Sequence, residues 1–341
     1  MHGTGDDDGK DENWMKWVAV ISELHGHPVL IVDGAHSSKQ TQVTVKATEF
    51  LDRHLSVVVS PPRTMTRVQG YEALIEALSG TIVGHRELGR LNDMFISDTV
   101  SKSKAIWHIK QLKEGQRREN TFATRSAIGI KFRIAVAAVC VGAYWRCHPD
   151  PKPVRIIGHS RGGAAAVGLH NFLTSFGIPC ENTLTLDPCH GLVDFNGKTK
   201  DYYTKIWFGQ LYNIPCQQNV ADMPEWTMMR PPITKGEGAS SDCVVFNHEM
   251  LREIKHGHMG KLTAIKKPKS WNPWTHAEEK RAMYAKKITV KEQAANFSER
   301  QNLLVHYKGH LLTFFQQNVG VECKDARKVI YEQVIQILTT I

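Results

Sequence analysis

Chemistry in this chain starts from one serine. The stretch "PVRIIGHSRGGAAAVGLHNFL", from Pro153 to Leu173, stops an apolar run at Gly158 and places Ser160 between glycines. Gly158-His159-Ser160-Arg161-Gly162 reads G-x-S-x-G, a pattern that gains meaning only from its surroundings. The surroundings here are a β-branched run before it and a small-residue, helix-patterned run after it. A serine on a sharp strand-to-helix turn needs small neighbours, because side chains at 158 and 162 would collide with the adjoining strand and helix. The plain alternative is a structural turn whose Ser160 caps the helix with its hydroxyl.

A serine hydroxyl attacks a carbonyl only when a base takes its proton, and the base needs an acid to orient it. "TLTLDPCHG" puts Asp187 at the end of the apolar run that follows the serine helix, with Asp194 and Asp222 in reserve. Catalytic groups gather at the carboxyl ends of the strands in an open α/β sheet. The alternative for Asp187 is a turn residue before Pro188. Downstream histidines are His190, His248, His256, His258, His276, His306 and His310. Of these, His258 in "KHGHMG" is the expected base and His256 the alternative. Both sit in a glycine-bearing segment after the β-rich "CVVF". Oxyanion donors are expected from the Arg161 amide at the helix start and from the Gly34 and Ala35 amides of "IVDGAHSS". His256 and His258 make an H-x-H pair, but zinc would need a third ligand that the sequence does not offer, so neither a metal nor another cofactor is expected.

Elements that would hold these groups can be read from periodicity. Residues 14–27 read as a helix, 28–36 and 55–62 as β runs, and 71–78 as a short amphipathic helix. Residues 84–120 are polar and basic and read as exposed helix. Residues 121–145 read as a long helix whose last part, Ile134 to Trp145, is twelve apolar-rich residues bounded by Arg133 and Arg146. That is too short to span a bilayer and predicts a buried helix. Strands follow at 153–158, 182–188, 203–209 and 243–246, with a helix at 161–176. Alternation of strand and helix predicts a mainly parallel α/β sheet with helices on both faces. The organisation expected is a disordered 1–13, an α/β domain over 14–265, and a helical C-terminal region over 266–341 packed on it.

With 341 residues, 41% hydrophobic and 23% charged, the chain is long enough for a full-sized core. Its seven cysteines are scattered, odd in number and without a CxxC pair, which predicts free thiols in a reducing compartment. The acidic N-terminus lacks an apolar signal region, so a cytoplasmic location is expected, or export by a signal-independent secretion system. Net charge is +9. Together with Lys255, Lys261, Lys266, Lys267, Lys269 and the two tryptophans of "SWNPWTH", it suggests an anionic membrane surface as a partner. No nucleic-acid motif accompanies the charge, and no nucleic-acid partner is expected. Nothing in the sequence indicates an oligomeric state.

At these residues the chain resembles the α/β-hydrolase superfamily, and within it lipase- and esterase-like bacterial hydrolases of the secreted-effector type. The resemblance rests on "GHSRGG" (158–163), "VDG" (32–34), "LDPCHG" (186–191) and "KHGHMG" (255–260), and covers about residues 28–265. It implies a Ser160–Asp187–His258 triad and hydrolysis of an ester or lipid. Two departures accompany it. Asp187 follows the strand directly after the nucleophile helix, whereas many hydrolases carry the acid one strand later. Gly163 stands where alanine is common, a change expected to be harmless.

Overall fold

The structure, a computed structural model, describes residues 1, 19, 22, 26–34, 42–55, 61–65, 95–112, 129–189, 197–215 and 232–247. The chain divides into two compact units, residues 1–7 with 30–256 and residues 8–29 with 257–341. The serine corner and every element named below belong to the first unit. The expected boundary near 265 and the helical region 266–341 lie outside the described residues.

The chain forms helices α1 (Gln42–His54), α2 (Lys102–Gln111) and α3 (Ile130–Cys147), then strand β1 (Val154–His159) and helix α4 (Arg161–Ser175). Strand β2 (Cys180–Leu186), helix α5 (Gly197–Thr204) and strands β3 (Lys205–Ile206), β4 (Gln210–Ile214), β5 (Thr234–Lys235) and β6 (Val244–Asn247) follow. The main sheet has the order β1-β2-β4-β6 and every pairing in it is parallel; β3 and β5 pair separately, also parallel. This is the parallel α/β arrangement that strand–helix alternation predicts.

Each helix follows from its pattern. α1 buries Val43, Ala47, Phe50 and Leu51, spaced for one face of a helix. α2 starts at Ser101, whose hydroxyl accepts from the Lys104 amide at 3.2 Å. It buries Ala105, His108 and Ile109, so this part of 84–120 is packed rather than exposed. α3 buries 13 of its 18 residues, apolar all round as an interior helix must be. It packs on α1, α2 and α4. α4 is buried along its whole length and lies on β1 and β2. Each Leu, Phe or Ile enclosed in this way contributes roughly 1.5–3 kcal/mol. No helix among the described residues is long and apolar enough to cross a membrane.

Two strand expectations need correction. Residues 28–34 form no strand, although Val32, Asp33 and Gly34 are buried. The outer edge of β1 is met instead by Met1, whose amine donates to the Ile157 carbonyl and whose carbonyl accepts from the His159 amide at 3.3 Å. Met1 is thus held by its main chain, and the rest of the expected disordered segment, 2–13, lies outside the described residues. The strand expected over 203–209 is two residues of β3, because Tyr203 and Thr204 complete α5; β4 begins only at Gln210. Residues 56–60 and 71–78 lie outside the described residues.

Candidate active site

Ser160 sits where β1 hands over to α4, with φ 57° and ψ −125°. This is a region an L-residue occupies only when its surroundings impose it. Four backbone hydrogen bonds impose it here. The Ser160 amide donates to Leu186 at the end of β2 (3.0 Å), and the Ser160 carbonyl accepts from Gly163 (2.9 Å), Ala164 (3.2 Å) and Cys189 (3.0 Å). The corner is thus bonded to its own helix and to the neighbouring strand end. Its hydroxyl makes no capping hydrogen bond to α4, so the capping alternative does not hold.

The flanking glycines are explained by close approach. A Cβ on Gly158 would stand 2.2 Å from the Gly162 carbonyl oxygen, which no packing adjustment can absorb. A Cβ on Gly163 would stand 3.0 Å from Cα and Cβ of Pro188. Gly163 therefore lets the Asp187-Pro188 turn lie against the first turn of α4. An alanine would push on that backbone, contrary to the expectation that the change is harmless.

Asp187 is the neighbour of this corner. His159 and Leu186 are paired residues at the ends of β1 and β2, so Ser160 and Asp187 each stand one step beyond a shared register. Asp187 is 1% exposed and has φ 42°, and its amide donates to Ile214 at the end of β4 at 2.8 Å. Three adjacent strand ends are therefore laced together by the amides of Ser160 and Asp187. The structure brings together Gly158, His159, Ser160, Arg161, Gly162 and Asp187. His256, His258, Ala35, Asp194 and Asp222 lie outside the described residues, and with them the lysines and tryptophans of 255–276.

Gly34 reaches the same neighbourhood. Val32, Asp33, Ile130, Arg133, Arg161, Gly162, Ala165 and Met1 line one small recess beside the start of α4. Sequence reasoning treated Arg133 only as the flank of an apolar run. Its guanidinium in fact donates to three carbonyls: Nε to Asp33 (2.6 Å), and the two terminal nitrogens to Gly34 (2.9 Å) and Gly129 (3.1 Å). A trans peptide points its N–H opposite its carbonyl, so fixing the Asp33 carbonyl also fixes the direction of the Gly34 amide. Lys46 completes the clamp, its ammonium 2.7 Å from the fully buried Asp33 carboxylate. The available signal was a charge inside the apolar helix "IKFRIAVAAVC".

Arg161 contributes its backbone to the helix start and its side chain to the recess wall. Burial pulls its guanidinium down to about 10, offset in part by the Cys189 thiol nearby. The first-turn amides of α4 and the positive end of its dipole make this an electropositive corner. No group of three or more metal-ligating side chains occurs among the described residues. Compared with protein-family models, with curated proteins and with solved structures, the chain matches none of them.

Proposed function

We propose that the protein is a serine hydrolase of the α/β-hydrolase type that cleaves a carboxylic ester, a lipid ester among the substrates considered. Ser160 attacks the carbonyl carbon and its hydroxyl proton passes to His258, or to His256 as the alternative. Asp187 orients the imidazole and balances its charge. The amides of Arg161 and of the 34–35 loop receive the oxyanion. The alcohol leaves with the proton from the histidine, and water, activated by the same histidine, releases the acid and restores Ser160.

The observation that carries this reading is the strained Ser160 backbone at a strand–helix corner, its hydroxyl not spent on the cap, beside a buried carboxyl residue on the next strand. Strain of this kind, on the order of 1–3 kcal/mol per residue, persists where a site requires it. A fluorophosphonate probe with peptide mapping tests the reading. Wild-type protein should be labelled at Ser160, and Ser160→Ala should lose both label and turnover of short p-nitrophenyl esters. Undiminished turnover by Ser160→Ala ends it.

A second reading is a binding or scaffold protein on the same fold without turnover. It is favoured by the burial of Ser160, which is 8% exposed. It requires that the probe leave Ser160 unmodified. The membrane partner suggested by net charge is tested with anionic and neutral vesicles: binding independent of anionic lipid and of salt rejects it.

A further inference from the structure

The packing of α2 on α1 and α3 uses one side of that helix, where Ala105, His108 and Ile109 are buried. At 3.6 residues per turn, Lys104, Trp107 and Lys110 fall within about 120° of arc on the other side. Trp107 is 50% exposed and Ile96, ahead of the helix, 42%; they are two of the four large hydrophobic residues exposed among those described. Lys104 Nζ donates to Ser97 Oγ (3.2 Å) and to Thr99 Oγ1 (3.1 Å), which ties the segment after Ile96 to this face. A single exposed apolar residue needs no explanation. An indole set between two lysines, with an isoleucine close to one of them, is a surface of mixed chemistry.

The charge on this helix has one sign. Its sequence, KSKAIWHIKQ, holds three lysines and no acid. Lys102 is paired with Asp52 at 2.8 Å, and the exposed Asp98, between Ser97 and Thr99, offsets part of the Lys104 charge. In sequence the positive run continues: residues 102–118 hold six lysines and arginines and one acid, Glu114. Such a surface matches two layers of a bilayer at once. Ammonium groups sit against anionic headgroups, and an indole sits at headgroup level with its apolar body inward. A nucleic acid would match the charge and could stack on Trp107, but it would leave Ile96 unmatched. The apolar side of α2 is already committed to the core, so the helix meets the headgroups without burying itself in hydrocarbon.

We propose that the Lys104–Trp107–Lys110 face of α2 is a docking surface for an anionic phospholipid bilayer. The proposal rests on the membrane partner suggested above and not on the serine chemistry, and it puts the contact on α2 rather than on the lysines and tryptophans of 255–276. Attachment by one indole and a few lysines is shallow and reversible. Exposed charges are screened over roughly 10 Å at about 0.1 M salt, so attachment weakens as salt rises.

The test is co-sedimentation of the full-length chain with vesicles of phosphatidylcholine alone, and with about 30% phosphatidylserine added. Wild-type protein should bind the second kind, and Trp107→Ala and Lys110→Gln should each weaken that binding roughly 3–10-fold, with circular dichroism unchanged. Lys104→Gln/Lys110→Gln should weaken it roughly 10–30-fold, and Trp107→Tyr, which keeps an amphipathic ring, should retain most of it. The emission lost in Trp107→Ala should shift to the blue when wild type meets phosphatidylserine vesicles. The proposal is overturned if the α2 variants bind like wild type, and in particular if binding is lost instead in Lys266→Gln/Lys267→Gln/Lys269→Gln, which leaves the membrane partner standing. Wild type that binds both vesicles equally, or neither, overturns the membrane partner and this proposal together. Duplex DNA bound more tightly than vesicles, and released by the same α2 variants, assigns the face to nucleic acid and overturns the bilayer. Fluorophosphonate labelling of Ser160 is read separately and bears only on the hydrolase reading.

Discussion

Ser160 and Asp187 stand side by side at the ends of two paired parallel strands, and they are the two non-glycine residues with positive φ among those described, 57° and 42°. Two strained residues in register are held by a shared set of backbone bonds: Ser160 to Leu186, Cys189 to Ser160, and Asp187 to Ile214. The strain at one position is therefore supported by the ordering of the other.

Glycine relieves this strain where alanine does not. Ser160→Gly should be more stable than Ser160→Ala by about 1 kcal/mol, the relief being partly offset by the freer unfolded chain of the glycine variant. Urea unfolding of the two variants measures the difference. Equal midpoints would show that the positive φ carries no cost.

The glycines on either side should differ sharply. Gly158→Ala pushes a methyl into the Gly162 carbonyl and should destabilise the fold by about 3 kcal/mol or more. Gly163→Ala meets Pro188 at 3.0 Å and should cost about 1 kcal/mol. Under the proposed function, Gly163→Ala also slows ester turnover by more than its small stability loss suggests, because the turn it displaces carries Asp187. Parallel measurement of unfolding midpoint and turnover separates the two effects.

Arg133 is the residue whose loss the loop at 33–34 should feel most. Arg133→Lys keeps the charge but has no planar fork to reach two successive carbonyls. Under the proposed function, Ser160 labelling should fall roughly 10–100-fold in Arg133→Lys, with the circular-dichroism spectrum unchanged. Labelling at the wild-type rate would remove the 34–35 loop from the oxyanion assignment.

His170 gives the fold an acid limb. Its ring lies fully buried between the Thr183 hydroxyl (2.8 Å at Nδ1) and the Phe208 carbonyl (2.6 Å at Nε2). A carbonyl only accepts, so Nε2 carries the proton and Nδ1 accepts from Thr183. Burial lowers the imidazole from 6.5 to about 4, against the opposing pull of the Phe208 carbonyl. The unfolded chain thus binds the extra proton first as pH falls. Stability is complete above pH 6.5 and drains toward pH 4, with a loss on the order of 3 kcal/mol. Urea midpoints from pH 7 to 4 measure the limb, and His170→Gln should flatten it by one proton.

The parts of the site that lie along the chain were legible in the sequence. β1, the serine corner, α4 and β2 follow one another, and their glycines, β-branched runs and small helix residues all point to one geometry. The parts that depend on distant segments were not. Residues 28–34 have the composition of a strand, but the β1 edge is taken by the Met1 main chain. Arg133 acts on backbone carbonyls about a hundred positions away, which no local pattern signals. "QLYNI" alternates apolar and polar residues too weakly to announce β4, so the register of Asn213 with Thr185 emerges only in three dimensions.

The four strands are laid down in chain order across the sheet, and β6 closes that order at the far end from Ser160. It touches β4 over four residue pairs. A border strand this short is the first to peel, so its amides should exchange with deuterium ahead of those of β1 and β2. Under the proposed function, whose histidine follows β6 in sequence, mild denaturant would silence turnover while most of the core stays folded. Loss of function would then run ahead of the melt, and recovery would need only one strand to re-dock.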